Sequence, residues 1–191
     1  MRLRAPMGFL YAHRMADKGN IYLIGPMGAG KTAVGKQLAL QLGLEFLDAD
    51  AEIERRTGVD IGYIFEKEGE AGFRERERNM IAELSELRET VIATGGGAIL
   101  DPGNRARLVA TGTVIYLRTS IEEQLRRTGQ SHKRPLLNTE NPRAVLERLR
   151  TERGPIYEET ADIRLDTTGR RVARVAATLK RLIEERRALQ T

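Results

Sequence analysis

The chain has 191 residues, which is enough for one domain with a buried core. Hydrophobic residues make up 40% of it and charged residues 31%, the balance of an ordinary water-soluble protein. Its apolar runs are shorter than the roughly 20 residues that a membrane helix needs. The chain has no cysteine, which excludes disulfides, thiolate metal sites and a catalytic thiol, and we expect a cytoplasmic protein.

The formal net charge is +5, but basic residues alternate with acidic ones, as in "RERERN" and "LKRLIEERR". This pattern favours a solvated basic surface, or a pocket that attracts small anions, over nucleic-acid binding. The first 14 residues are basic with a short apolar patch, and they lack the features of a secretory signal. We expect residues 1–16 to be a disordered extension or a segment upstream of the true start at Met15, and 17–191 to form a single domain.

Strand and helix patterns alternate along the chain. Short β-branched or apolar runs predict strands at 20–24, 45–48, 90–94, 113–117 and 162–166. Apolar residues at helical spacing, capping boxes and helix-starting prolines predict helices at 30–42, 51–57, about 73–87, after Ser120, 142–153 and about 170–187. This alternation is typical of an α/β fold with a parallel sheet and helices on both faces. Ligands of such sheets bind beyond the carboxyl ends of the strands.

The first strand ends in a glycine-rich loop, "GPMGAGKT" at residues 25–32, which fits the phosphate-binding pattern G-x-x-x-x-G-K-[ST] between a strand and a helix. Backbone N–H groups of such a loop curl around phosphates, and the helix N-terminus adds partial positive charge. Lys31 is expected to reach the outer phosphates and Thr32 to ligate Mg²⁺. The phosphate-binding set is Gly28, Ala29, Gly30, Lys31, Thr32 and Ala33, and its ligand is a nucleoside triphosphate.

The next two strands end in "DAD" and "GGG". Asp48 and Asp50 are two residues apart, so in a strand both carboxylates face the same way. One can serve Mg²⁺ through water and the other can accept a proton from a substrate hydroxyl. The alternative is that Asp50 caps a helix beginning at Ala51. Gly95, Gly96 and Gly97 allow close approach of backbone N–H groups to a ligand, or they form a flexible turn.

Arginines and one loop supply the remaining candidates. Arg74, Arg134 and Arg153 are suited to bind a carboxylate, although each alone is typical of a solvated surface charge. Residues 128–141 are polar and contain a glycine and a proline, which indicates either a lid that excludes water or a plain surface loop. We interpret His132, in this loop, as solvated.

Taken together, these segments resemble the shikimate kinase family. The matching pieces are "GPMGAGKT", "FLDAD", "GFRERE", "ATGGG", "RPLL" and "RGPIYEE", in the family's order and spacing, across about residues 17–185. The resemblance implies a three-layer α/β/α P-loop kinase fold, similar to nucleoside monophosphate kinases. Such a fold has a five-stranded parallel sheet, a mobile lid near 128–141 and a substrate-binding helical region near 48–77. The segment before Met15 has no counterpart in the motifs.

The resemblance also implies an activity. ATP and shikimate would be the substrates, Mg²⁺ the cofactor and 3-phosphoshikimate the product, on the pathway to chorismate and aromatic amino acids. We expect no nucleic-acid or membrane partner, and a chain of this size is compatible with a monomer. The rival interpretations are a related small-molecule kinase, such as a gluconate kinase, and a non-catalytic nucleotide-binding regulator.

The implied roles fall on matching positions of this sequence. Asp50 would hold the ring hydroxyls and act as base, Arg74 and Arg153 would hold the substrate carboxylate, and Gly96 with its neighbours would complete the shikimate site. Thr32 would ligate Mg²⁺ with Asp48 helping through water; many family members have serine at that position, which supplies the same hydroxyl. Lys31 and Arg134 would neutralise the transferring phosphoryl group. Arg127 and Arg170 would lie near the adenine.

Overall fold

The computed structural model describes residues 19–129 and 139–189. The strands are β1 (Asn20–Ile24), β2 (Glu45–Asp48), β3 (Thr90–Ala93), β4 (Gly112–Arg118) and β5 (Ile163–Asp166). The helices are α1 (Lys31–Leu42), α2 (Ala49–Thr57), α3 (Ile61–Leu84), α4 (Pro102–Thr111), α5 (Ile121–Thr128), α6 (Pro142–Thr160) and α7 (Val172–Ala188). The strands agree with the predicted ones to within one residue at each end.

The strands form one parallel sheet in the order β2-β3-β1-β4-β5. β1 is therefore the central strand, with β3 on one side and β4 on the other. The ends of β1, β3 and β2 lie side by side at one edge of the sheet. This arrangement confirms the predicted five-stranded parallel sheet and brings the three sequence motifs together.

Successive residues of the strands supply two separate cores, one on each face of the sheet. Ile21 and Leu23 of β1 pack with α1 and α7, whereas Tyr22 and Ile24 pack with α2, α3, α4 and α6. Because side chains alternate along a strand, a strand buried on both faces is a nearly continuous hydrophobic run, as β1 is after Asn20. Within the two described ranges, no helix is long and apolar enough to cross a membrane.

One helix was missed by the sequence analysis, and another begins earlier than predicted. α4 was not predicted, although its start carries a recognisable signal: Asp101 accepts a hydrogen bond from the N–H of Asn104 (2.9 Å), and Pro102 follows in the first turn. α3 begins at Ile61, well before the predicted start near residue 73, and contains a break at Gly69 (φ 71°). The charged residues around Gly69 hide the helical pattern of its first half.

α6 also exceeds its predicted length. The predicted helix ended at Arg153, but α6 continues through Gly154 and Pro155 to Thr160. Tyr157 and Thr160 are buried, so packing of this last part against the rest of the fold outweighs the local cost of the proline. The extension matters for function because it carries Tyr157 to the edge of the sheet where the motifs meet.

We predict that Gly35→Ala destabilises the fold although alanine is the better helix former. A Cβ at position 35 of α1 would lie 2.9 Å from Cδ2 of Phe46 and 3.1 Å from Cδ1 of Leu23, so the core would be overpacked. Overpacking costs about 1–3 kcal/mol of the free energy of unfolding. Gly154→Ala in α6 is the control, because a Cβ there meets nothing within 4 Å and should stabilise by up to about 1 kcal/mol. Urea denaturation measures both, and equal effects would contradict this account of the core.

Candidate active site

One cavity of about 590 Å³ opens at the edge where β1, β2 and β3 end. Its lining includes Lys31 and Thr32 after β1, Asp48 and Asp50 after β2, and the 95–97 turn after β3. The helices α3 and α6 add Arg74, Glu77 and Arg153. The expectation that the three motifs open into one crevice is therefore confirmed. The cavity joins a basic, glycine-rich half to a half that contains carboxylates and arginines.

The glycine-rich loop has the conformation of an anion cradle. Gly28 and Gly30 have φ of 77° and 89°, backbone angles that residues other than glycine rarely adopt. Gly30 precedes α1 without a side-chain cap, so the first N–H groups of the helix point toward the cavity end of the loop. Lys31 Nζ donates hydrogen bonds to the carbonyls of Gly25 (2.7 Å) and Pro26 (3.0 Å). Ala29 differs from its neighbours, because it is buried in the core and does not line the cavity.

Asp48 connects the loop to α2. Its Oδ2 accepts a hydrogen bond from the Thr32 hydroxyl at 2.6 Å, and its Oδ1 accepts from the N–H groups of Asp50 (3.1 Å) and Ala51 (3.4 Å). Asp48 is thus the N-cap of α2, and the alternative in which Asp50 caps a helix from Ala51 is wrong. Asp48 and Asp50 both line the cavity, as expected. The expected reason does not hold, because β2 ends at Asp48 and Asp50 therefore lies in α2 rather than on the same strand.

The Thr32–Asp48 pair fits a magnesium ion. Hydroxyl and carboxylate oxygens are the ligands that Mg²⁺ takes, and it commonly binds one or two carboxylates together with substrate phosphates and water. Within residues 19–129 and 139–189, no cluster of three or more His, Asp or Glu side chains forms a protein-only metal cage. The chemistry of this pair therefore agrees with a metal that a phosphate substrate helps to hold.

Asp50 is a carboxyl group in an unfavourable place for a negative charge. Burial and, to a smaller extent, the charges of Asp48 and Glu77 raise its pKa to about 7, while Lys31 acts in the opposite direction. Its Oδ1 is buried and has no hydrogen-bond partner within the described protein. A carboxyl group whose pKa lies near neutral pH is suited to take up a proton during a reaction.

Arg74 is fixed by two acids of α3 that differ in burial. Its guanidinium donates to Glu77 Oε2 at 2.7 Å and to Glu70 Oε1 at 3.0 Å. Glu77 is 1% exposed, whereas the Glu70 side chain is 58% exposed. Burial raises the pKa of Glu77, and the nearby charges of Arg74 and Arg153 act against this. The pair turns Arg74 toward the cavity rather than leaving it as a solvated surface charge.

Glu77 is a site residue to which sequence reasoning gave no role. A signal was present, because Glu77 interrupts the otherwise apolar stripe of α3 that contains Phe73, Met80, Ile81 and Leu84. A single acid on a buried helix face needs a partner, and Arg74 lies within reach at i−3. An acid on this apolar face with an arginine three residues before it would have identified Glu77 as a residue of the site.

The glycines that follow β3 make room for these side chains. A Cβ on Gly95 would collide with Glu77 Oε1 and lie 2.9 Å from Asp50 Oδ1, and one on Gly97 would collide with the guanidinium of Arg74. The turn continues into a short 3₁₀ helix (Ala98–Leu100), in which Ala98 N donates to Gly95 O at 3.2 Å. An alanine at position 95 or 97 would therefore displace side chains of the site, a consequence that the sequence pattern did not reveal.

The arginines predicted to belong to the site lie at different places relative to the cavity. Arg153 is 7% exposed and lines the cavity from α6, so it is no ordinary surface charge. Arg127 donates to the carbonyl of Gly28 at 2.9 Å and lies beside the glycine-rich loop. Arg170 is exposed and lines neither this cavity nor a second one beside α6. Arg134 and His132, with most of the predicted lid, lie outside the described residues.

Comparisons with known proteins agree with this site. The family model described as shikimate kinase matches residues 27–184. The shikimate kinase of Vibrio parahaemolyticus is 51% identical over 172 residues, which cover 90% of this chain and 100% of that protein. Shikimate kinase 1 of Erwinia tasmaniensis is 52% identical, with coverage of 90% and 99%.

Solved structures give the same answer. The shikimate kinase of Acinetobacter baumannii, solved in complex with shikimate, is 47% identical and superposes with a TM-score of 0.87, covering 92% of this chain and 98% of that one. The chain belongs to the shikimate kinase family. The shikimate kinase of Aquifex aeolicus is 34% identical with a TM-score of 0.74, covering 87% and 97%. Membership makes the protein an enzyme, an ATP-dependent kinase, and decides against a gluconate kinase or a non-catalytic regulator.

We predict that Glu77→Gln lowers the free energy of unfolding by about 1–3 kcal/mol, because the ion pair with Arg74 inside the site is replaced by a hydrogen bond to a neutral amide. Glu70→Gln is the matched control, since it changes the other acid of the same arginine. This exposed pair should contribute at most about 1 kcal/mol. Urea denaturation of both variants checks the difference. If Glu70→Gln were as destabilising as Glu77→Gln, burial would not be what makes the Glu77 pair important.

Proposed function

We propose that the protein transfers the γ-phosphoryl group of ATP to the 3-hydroxyl of shikimate, which gives ADP and 3-phosphoshikimate. The observation that carries this proposal is the single cavity in which the phosphate-binding loop faces Asp50, Arg74 and Arg153. One half can hold the triphosphate and the other a carboxylate-bearing polyol, so donor and acceptor meet in the middle. The relative from Acinetobacter baumannii, whose structure contains shikimate, supports the choice of acceptor.

On the donor side, the N–H groups of Gly28 and of residues 30–33 hold the phosphates, whereas the Ala29 N–H donates to Pro26 O within the loop. Lys31 moves from its loop carbonyls to the outer phosphate oxygens. Thr32 and Asp48 would hold Mg²⁺, Asp48 through water, and the bound ion would neutralise phosphate charge. Arg127 lies near the adenine end. Arg134, outside the described residues, is proposed to add charge at the transferring group, and Arg170 to contact the adenine.

On the acceptor side, Arg74 and Arg153 hold the carboxylate, and Asp50 holds the ring hydroxyls. The Asp50 carboxylate accepts the proton of the 3-hydroxyl as its oxygen attacks the γ-phosphorus. The bond between that phosphorus and the bridging oxygen breaks, and the electron pair leaves with ADP. The Gly96 backbone completes the shikimate site. Positioning and electrostatic stabilisation supply most of the rate enhancement in such a transfer.

The proposal also includes the metal, the oligomeric state and the location of the enzyme in the cell. Mg²⁺ is the physiological metal, the working form is a monomer, and the enzyme acts in the cytoplasm on the route to chorismate. Sedimentation at micromolar concentration tests the oligomeric state. A dimer that persists under dilution would replace the monomer without affecting the assignment of the site.

We predict that Asp50→Asn lowers kcat for shikimate phosphorylation by about 10²-fold or more, because removal of a general base typically costs 10²–10⁴-fold. The substitution keeps the size of the side chain and removes only its basicity. Initial rates of ADP release at saturating ATP and shikimate give kcat, and a thermal melt checks that the variant is folded. A variant that turns over near the wild-type rate would mean that another group takes the proton.

We predict that Arg153→Ala raises the KM for shikimate by about ten-fold or more and leaves the KM for ATP nearly unchanged, because a charge-assisted hydrogen bond contributes roughly 1.5–3 kcal/mol. Arg150→Ala is the matched control: it removes an exposed arginine one turn earlier on α6 that does not line the main cavity. Steady-state kinetics with either substrate varied distinguish the two. An unchanged KM for shikimate in Arg153→Ala would remove Arg153 from the carboxylate site.

A further inference from the structure

Tyr157 lies directly behind the 95–97 turn. Its side chain is 2% exposed, and its ring stacks on Tyr116 of β4 with the centroids 4.9 Å apart and the planes 21° from parallel. Its hydroxyl donates a hydrogen bond to the carbonyl oxygen of Gly96. Tyr157 does not line the cavity that holds Lys31 and Asp50; it lines the second cavity beside α6.

The hydrogen bond from Tyr157 fixes a peptide that would otherwise be hard to order. Three successive glycines lose more backbone entropy on folding than any other three residues, and they lack side chains that would pack and hold them. In a trans peptide the C=O and the following N–H point in opposite directions, and the described chain has no cis peptide. Holding the Gly96 carbonyl toward α6 therefore also sets the direction of the Gly97 N–H.

The same residue lies one helical turn from an arginine of the site. Tyr157 follows Arg153 by four residues in α6, so the two side chains lie on one face of the helix, about 6 Å apart along its axis. Arg153 lines the main cavity, as does Gly96. One contact from Tyr157 thus connects the helix that carries Arg153 to the turn that carries Gly96.

We propose that Tyr157 is a positioning residue for the acceptor: through its hydroxyl it holds the Gly96 peptide, and with it the spacing between Gly96 and Arg153, in the arrangement that binds shikimate. The inference rests on the proposed function for the identity of the acceptor. Tyr157 acts on shikimate binding and not on ATP binding, because the turn and Arg153 belong to the acceptor half of the cavity. The phosphate loop has its own hydrogen bonds.

The surroundings keep the phenol in the donor form that this role needs. Burial raises the pKa of Tyr157 far above its ordinary value, and the charge of Arg153 opposes this only in part. The proton stays on the phenol across the physiological range, and the carbonyl of Gly96 can only accept it. Stacking on Tyr116 restricts the ring, so the hydroxyl has little freedom to turn elsewhere.

The test compares Tyr157→Phe with Tyr116→Phe in the full-length protein. Each change removes one hydroxyl from the same stacked pair and keeps the ring, but only the first removes the bond to Gly96. We expect Tyr157→Phe to raise the Kd for shikimate, measured by calorimetry without ATP, by about three- to ten-fold, as loss of one hydrogen bond predicts. Its Kd for ATP should stay within about two-fold of the wild type, and Tyr116→Phe should leave both unchanged.

Amide hydrogen exchange of residues 95–98, measured without substrate, gives a second readout. It should be several-fold faster in Tyr157→Phe and unchanged in Tyr116→Phe. An unchanged Kd for shikimate in Tyr157→Phe overturns the proposal, and so does an equal rise in Tyr116→Phe or an equal weakening of ATP. If the wild type does not bind shikimate, the proposed function fails instead, and the exchange rates still decide whether Tyr157 holds the turn.

Discussion

The parallel pairing of β1 with β3 and β4 is the constraint on which the site depends. It places β1 at the centre of the sheet and brings the ends of β1, β3 and β2 side by side at one edge. Each end supplies a different chemistry: phosphate-binding amides with a lysine, a turn without side chains, and two carboxylates. Because open parallel sheets bind ligands beyond these ends, the order of the strands alone brings the groups of a phosphoryl transfer together.

Charge is also buried within the acceptor half of the cavity, and the protein accommodates it in two different ways. Arg74 and Glu77 neutralise each other at 2.7 Å, so an arginine is held where a carboxylate can bind it. Asp50 has no such partner for its Oδ1, and its pKa rises to about 7 as a result of burial and of nearby acids. In the proposed function, the paired arginine binds the substrate carboxylate and the unpaired carboxyl group accepts the proton. The glycines after β3 provide the space that both arrangements need.

Much of this could be predicted from the sequence, since strands and the glycine-rich loop are local patterns. The five strands and the crevice at their ends were predicted, and the family follows from motifs that keep their order. The cap of α2 stayed open between two alternatives, because "DAD" offers two aspartates next to the start of the helix and spacing cannot choose between Asp48 and Asp50. α4 and Glu77 had readable signals in Asp101-Pro102 and in the apolar stripe of α3. The contact between Tyr157 and Gly96 joins residues 61 positions apart and depends on the path of α6, which no local pattern contains.

The most direct test of the central claim is ADP release by the purified full-length protein with ATP and Mg²⁺, measured with shikimate, with gluconate and with neither. The account predicts rapid release with shikimate and only slow hydrolysis in the other two reactions, because Asp50, Arg74 and Arg153 act on a carboxylate-bearing acceptor in the cavity that also holds the phosphates. Release that is equally fast with and without shikimate would contradict it. The phosphate-binding loop would stand, and the acceptor half of the cavity would need another substrate.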